Sequence, residues 1–181
     1  MAWGRASHET ISRTRGSMKT KILVLSLLTI PLAGIKPSYA ANPEHVQRLL
    51  DTRQCVGCDL REANLGGADL RGANLGGADL FQANLQNADL SGANLTDAQL
   101  DAANLSGANL REVNLDWANL EGANLNSANL SRVNLEWTHL VATDLRGANL
   151  QKAQINHFDM ERINLCGATM PDGSVSQIGC R

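Results

Sequence analysis

Aromatic residues are scarce in this sequence: Phe, Trp and Tyr make up 3% of its 181 residues. Rings supply much of the buried area in an ordinary globular core, so a conventional packed interior is not expected. Clustered Lys and Arg are missing as well, and 16 basic residues stand against 18 acidic ones for a net charge of −2. Binding through nucleic-acid phosphates needs such clusters to release counterions, so no nucleic-acid partner is expected. No Gly-x-Ser-x-Gly, His-Glu-x-x-His or phosphate-cradling glycine loop occurs. The sequence therefore offers no catalytic apparatus, no cofactor site and no reason to expect a small-molecule substrate. What it does have is 43% apolar content, mostly Leu and Ala, mixed with abundant Asn and Gly. That composition points to one small unit repeated many times.

The N-terminus follows other rules. Met18-Lys19-Thr20-Lys21 precedes an apolar run from Ile22 to Ile35, and Lys36-Pro37-Ser38-Tyr39-Ala40 follows it. Lys19 and Lys21 form the basic start of a secretory signal, the run is short for a spanning helix, and small Ser38 and Ala40 suit cleavage after Ala40. The competing reading is an uncleaved membrane anchor, which Pro31 and Gly34 weaken. Cleavage leaves no stable membrane insertion. Residues 1–17 fit neither role, and Met18 is an alternative initiator. Residues 41–181 carry 10 basic and 17 acidic side chains, a net charge of −7, which serves solubility.

From Ala63 onward Leu returns at every fifth position to Leu150, and Leu60, Ile155, Met160, Leu165 and Met170 extend the same frame. The array covers 115 residues, or 23 units of five, from 58 to 172. A period of five matches neither a helix at 3.6 nor a strand at 2, so each unit must turn a corner. Ala two places before Leu is small enough to point inward, and Gly, Asn, Asp and Ser suit tight turns. Four corners close a square of 20 residues. Rare residues agree with that return: Trp117 and Trp137 are 20 apart, and so are Val113 and Val133, the two Val residues that replace inward Ala. At a spacing of about 4.8 Å per coil, the array makes a prism roughly 28 Å long.

This A(D/N)LXX pattern, written out at Ala68-Asp69-Leu70-Arg71-Gly72, resembles the pentapeptide repeat family. The resemblance implies an all-β fold, a right-handed quadrilateral β-helix, here of about six coils. Asn and Asp before each Leu are read as structural, bonding nearby backbone as these side chains do in turns. Stacked carboxylates such as Asp69 and Asp89 are read the same way, since the glycine-rich calcium nonapeptide is absent.

Both ends of the array differ from its middle, as an exposed solenoid end requires. Asn42-Pro43-Glu44-His45-Val46-Gln47-Arg48-Leu49-Leu50 offers an N-cap, a Pro at the first helical position and an apolar stripe of Val46, Leu49 and Leu50, which predicts a capping helix. At the other end Phe158, Met160, Ile163 and Met170 replace slimmer residues, and the tail after Gly173 folds over. The chain thus divides into an extension at 1–17, a signal peptide at 18–40, a capping helix and link at 41–57, a solenoid at 58–172 and a C-terminal cap at 173–181.

Four cysteines in an exported chain favour disulfides, with three pairings open. Proximity suggests Cys55 with Cys58 and Cys166 with Cys180. A metal or redox role for Cys55-Val56-Gly57-Cys58 is the rival reading, but His45, His139 and His157 lack the spacing of further zinc ligands, and no βαβ pattern surrounds the motif.

The sequence points to a structural or protein-binding rod rather than an enzyme, with unknown protein partners. Its interaction candidates are Trp117, Trp137 and His157, which recur at the last place of their units. Two readings of this column stand: a binding face, since exposed aromatics are enriched at hot spots, or indoles that simply stack and cover the coil edge. Some members of the family protect DNA gyrase by resembling acidic duplex; the signal sequence and the Leu column, where those relatives tend to carry Phe, disfavour that alternative. The short helix, the Cys55/Cys58 pair before the repeats and the C-terminal Cys180 resemble exported cyanobacterial and chloroplast lumenal members, which implies the thylakoid lumen or a periplasm.

Overall fold

Five backbone N–H groups per unit must each find an acceptor if a five-residue unit is to be buried on one side, and the unit Ala88–Gly92 shows how. The Ala88 N–H closes a tight turn onto Leu85 O at 3.0 Å. Asp89 N–H donates to Ala68 O one coil below at 2.9 Å, while Leu90 and Gly92 N–H donate to Asn109 O and Arg111 O one coil above at 2.8 and 2.9 Å. The remaining donor, Ser91 N–H, is taken by the side chain of Asp89 itself, at 3.0 Å. The short acceptor side chain of Asn or Asp two residues back reaches that N–H, which explains the second place of the unit. The last place adopts a left-handed backbone, as at Gly92 (φ 66°), which explains its glycines.

The computed structural model describes residues 40–155 and 162–181. The extension at 1–17, the signal sequence up to Tyr39, and His157, Phe158 and Met160 lie outside them. Parallel bridges join residues 20 apart from Gln54–Asn74 through Asn149–Thr169, so four units make one turn and the solenoid is four-sided. Leu at the third place and Ala at the first fill the interior, with Leu70 through Leu105 at 0% exposure. Side-chain amides add a second ladder outside: Asn84 Nδ2 donates to Asn64 Oδ1 at 3.0 Å and Asn129 Nδ2 to Asn109 Oδ1 at 3.1 Å.

The bridges begin at Gln54, one unit before the array at 58–172 read from the sequence. Cys55, placed before the repeats in that reading, sits in the central Leu column at 0% exposure. A small apolar side chain fits there because its sulfur is joined to that of Cys58, which holds an inward Ala position. A second bond joins Cys166 to Cys180.

The helix α1, Pro43–Thr52, begins with Asn42, whose side chain accepts from Glu44 N–H at 3.0 Å. It lies at the first coil and supplies what a preceding coil would. Asn42 N–H donates to Asp59 O at 3.2 Å, His45 Nδ1 accepts from Asp59 N–H at 3.0 Å, and Thr52 Oγ1 accepts from Gln54 N–H at 3.1 Å. Leu49, fully buried, packs on the core from this side. At the far end the tail runs antiparallel, bridging Thr169 to Val175. Ile178 O accepts from Leu165 N–H at 3.1 Å and Ser176 O from Gly167 N–H at 2.9 Å.

The surface carboxylates of Asp59, Asp69 and Asp144 are tied to arginine within their own units. Arg71 beside Asp69 and Arg146 beside Asp144 donate charged hydrogen bonds that hold both carboxyls below their usual range. Because these acids are more acidic folded than unfolded, their contribution is present above the unfolded value near about 4 and is lost as pH falls below it. We expect thermal melts followed by circular dichroism to show a lower midpoint below about pH 4, and Asp69→Asn with Asp144→Asn to flatten that acid limb. An unchanged acid limb in the double variant would assign the loss elsewhere.

Candidate functional site

The rod wall is polar almost everywhere. Among the described residues the exposed large apolar side chains are Leu50 and Val56 at one end, Val175 and Ile178 at the other, and Trp117 and Trp137 on the wall between them. The two indoles stack with centroids 5.1 Å apart and planes 16° from parallel, yet remain 56% and 57% exposed. The rings therefore stack on each other and still face solvent. His157, the third candidate, lies outside the described residues.

Local hydrogen bonding departs from the array here. Trp117 keeps the left-handed backbone of the last place, with φ 61° against 58° at Asp97 one coil below. Where Ala holds the inner place the turn bond is 2.9–3.1 Å, but Val113 and Val133 stretch it to 3.2 and 3.3 Å. The Asn114–Asn134 bridge persists. However, the bonds that Leu95 and Asp97 N–H give the next coil, at 2.8 and 2.9 Å, have no counterpart at Leu115 and Trp117. Extra methyl groups inside a close-packed column wedge its coils apart, because the interior has no spare volume.

Beside Trp117 a shallow hollow of about 280 Å³ opens on the adjoining wall, lined by Gln99, Trp117, Asn119, Glu121, His139 and Val141. Asn119 orders its floor: its Oδ1 accepts from Glu121 N–H at 3.1 Å and its Nδ2 donates to Asp101 Oδ1. Sequence reading singled out the indoles and missed Gln99, Asn119 and Glu121. Writing the chain in rows of 20 would have placed them together, since Gln99, Asn119 and His139 form one column of the same bridges.

Charge is divided between walls. Over 93–102, 113–122 and 133–142, the two walls that meet at the Trp edge carry Asp97, Asp101, Asp116, Glu121 and Glu136 and no Lys or Arg. Over 103–112, 123–132 and 143–152, the other two carry Arg111, Arg132, Arg146 and Lys152, with Glu112 and Asp144 as the acids. Those two acids are ion-paired, Glu112 to Arg111 at 2.9 Å and to Arg132 at 3.2 Å, and Asp144 to Arg146 at 2.6 Å. Asp97, Asp101, Asp116 and Glu121 have no Lys or Arg partner among the described residues.

The cysteine pair near the first coil presents a different picture. Cys55 and Cys58 are 0% and 1% exposed and bonded to each other. Among the described residues no group of three or more His, Cys, Asp or Glu is arranged to hold a metal.

A four-sided parallel solenoid of five-residue units, with side-chain amide ladders outside and a Leu column inside, defines a class of repeat scaffold. The chain belongs to the pentapeptide repeat family: Pentapeptide repeats match residues 58–97, 88–126, 98–140 and 128–167. Among solved structures, a pentapeptide repeat protein of the cyanobacterium Cyanothece is 30% identical, covering 73% of this chain and 97% of its own, with a TM-score of 0.43. One from the Arabidopsis thaliana thylakoid lumen is 30% identical over 55% of this chain and 70% of its own, with a TM-score of 0.34. A third, from Nostoc, is 28% identical over 71% and 98%, with a TM-score of 0.40. Comparison with curated proteins returns no match.

Proposed function

We propose that this protein is a non-enzymatic, exported interaction rod: a right-handed quadrilateral β-helix of about six coils, closed by its N-terminal helix and C-terminal tail, that docks a protein partner along the Trp117–Trp137 edge. The observation that carries this reading is the stacked, more than half-exposed indole pair on an otherwise polar wall. A buried structural role would not leave such rings in water, and Trp is the residue most enriched at binding hot spots. Signal-like residues 18–40 and the two disulfide pairs support an oxidising compartment, the thylakoid lumen or a periplasm. A DNA-mimicking role against gyrase is less well supported, because the walls bearing Arg111, Arg132, Arg146 and Lys152 interrupt any continuous acidic surface.

The test is affinity capture from the native compartment with the mature rod and with Trp117→Ala/Trp137→Ala. Loss of an exposed aromatic pair costs about 1 kcal/mol, so the variant stays folded with only a modest fall in its melting point. Partner recovery is expected to drop at least tenfold. Retained partners with a large loss of stability would instead make the indoles a structural cover and overturn the reading.

A further inference from the structure

We infer that the Trp117–Trp137 edge is built for an arginine-bearing segment of the partner protein, with a guanidinium entering the hollow beside Trp117; this rests on the interaction-rod reading above. Three independent features of the wall converge on that chemistry. The first is the indole surface: a cation within about 6 Å of a Trp ring is attracted by its quadrupole, and guanidinium stacks flat against it better than ammonium does. The second is the hollow itself, which sets Trp117 and Glu121 on one cavity surface of about 280 Å³, with the amide side chains of Gln99 and Asn119 beside them. Its polar lining and small size suit one planar, many-donor group.

The third feature is charge. Among the described residues, Asp97, one coil below Trp117 in the same column, and Asp101, Asp116 and Glu121 on the flanking walls have no Lys or Arg partner, whereas Glu112 and Asp144 on the opposite walls are matched by arginine. Over 93–102, 113–122 and 133–142 the walls beside the indoles carry no Lys or Arg. The Asp101 carboxylate accepts from Asn119 Nδ2, and the Glu121 backbone N–H donates to Asn119 Oδ1, so the Asp101 carboxylate and the backbone that carries Glu121 are set before any ligand arrives. A field of one sign around an apolar face raises the on-rate of an oppositely charged partner and rejects acidic ones. An apolar segment would leave these carboxylates desolvated and unpaired at a cost of several kcal/mol, and an acidic one would be repelled. Arginine satisfies both the ring and the carboxylates.

The experiment uses the full mature chain and a synthetic Gly-Ser-Arg-Gly-Arg-Ser-Gly peptide, followed by tryptophan fluorescence and calorimetry at low salt. The control is the same peptide with citrulline, which keeps the shape and removes the charge. The Arg peptide is expected to bind and to change the indole emission, and the citrulline peptide to bind at least tenfold more weakly. Asp97→Asn/Glu121→Gln, which leaves both indoles and the core untouched, is expected to weaken the Arg peptide at least fivefold and to reduce its salt dependence. Trp117→Ala/Trp137→Ala is expected to weaken it at least tenfold. Equal binding of the two peptides, or no response to Asp97→Asn/Glu121→Gln, overturns the inference. Binding of tetramethylammonium as tight as the Arg peptide would also overturn it, in favour of a small-cation pocket. If the native partner is captured through the indoles while the Arg peptide fails, the cationic assignment falls and the rod reading survives; if capture does not depend on the indoles, the rod reading falls first.

Discussion

Replacing Leu105 by Ala is expected to lower the unfolding free energy by about 3 kcal/mol, within the range for a fully buried Leu whose cavity cannot collapse. Leu105 is 0% exposed and stands mid-column, with Leu85 below and Leu125 above, both also at 0%. Ladder bonds hold those coils at fixed spacing, Leu85 N–H to Asn104 O and Leu105 N–H to Asn124 O at 2.7 Å each. The backbone therefore cannot close over the void. Solenoid stability is roughly a sum of unit terms and nearest-neighbour interfaces, so a mid-rod defect weakens two interfaces and divides the array. Urea unfolding followed at the Trp fluorescence and at the far-ultraviolet β signal measures this. The two probes should separate in the variant, because Trp117 and Trp137 lie in the upper fragment. Coincident transitions with a loss below about 1 kcal/mol, smaller than any expected Leu-to-Ala loss, would show that the coils do collapse around the gap.

Breaking the Cys166–Cys180 bond is expected to cost about 3 kcal/mol on the chain-entropy account, for a closed loop with a sequence separation of 14. The loss should be local. The tail supplies Ser176 O and Ile178 O to N–H groups that otherwise point to an absent coil, and Ser174 O to Met170 N–H at 2.8 Å. Released, these donors face water and the last coil frays, exposing Ile163 and Leu165, which are 5% and 0% exposed when closed. Hydrogen exchange in Cys180→Ser should rise over 163–180 and stay slow over 83–130. The β signature should survive mild reduction while the melting point falls. The three-residue separation of Cys55 and Cys58 gives a smaller entropic term, and Leu49 with the His45 contact to Asp59 holds that end as well. A uniform rise in exchange along the rod would mean that the two ends are not independent.

The 20-residue return was legible because each coil of a solenoid touches only the coils beside it. One five-residue rule, obeyed at Ala88–Gly92 and its copies, then sets turn, ladder and interior together. Trp117 with Trp137 and Val113 with Val133 were placed on one wall by spacing alone. A period carries no information about departures from it, however, and the candidate site and both ends of the array lie there. Cys55 in the central column broke the Leu rule and was read as link. His45 and Asn42 supply Asp59 with its acceptor and donor through the particular path of a helix, which no repeat encodes. The loss of ladder bonds at Leu115 and Trp117 accompanies two Val side chains in places that Ala otherwise holds. The hollow beside Trp117 follows from how side chains on two adjoining walls lean across a corner.

By itself, then, the sequence determined the unit, the four-sided coil and the column that carries the indoles, since these rest on backbone hydrogen bonds and a small inward residue repeated without a slip. Tertiary structure alone decided that the indoles stack yet stay exposed, that Asp97 and Asp116 beside them have no Lys or Arg partner among the described residues, and that both ends find hydrogen-bond partners. These depend on contacts between residues about 20 apart or on opposite sides of a corner, where packing and charge act through space rather than along the chain.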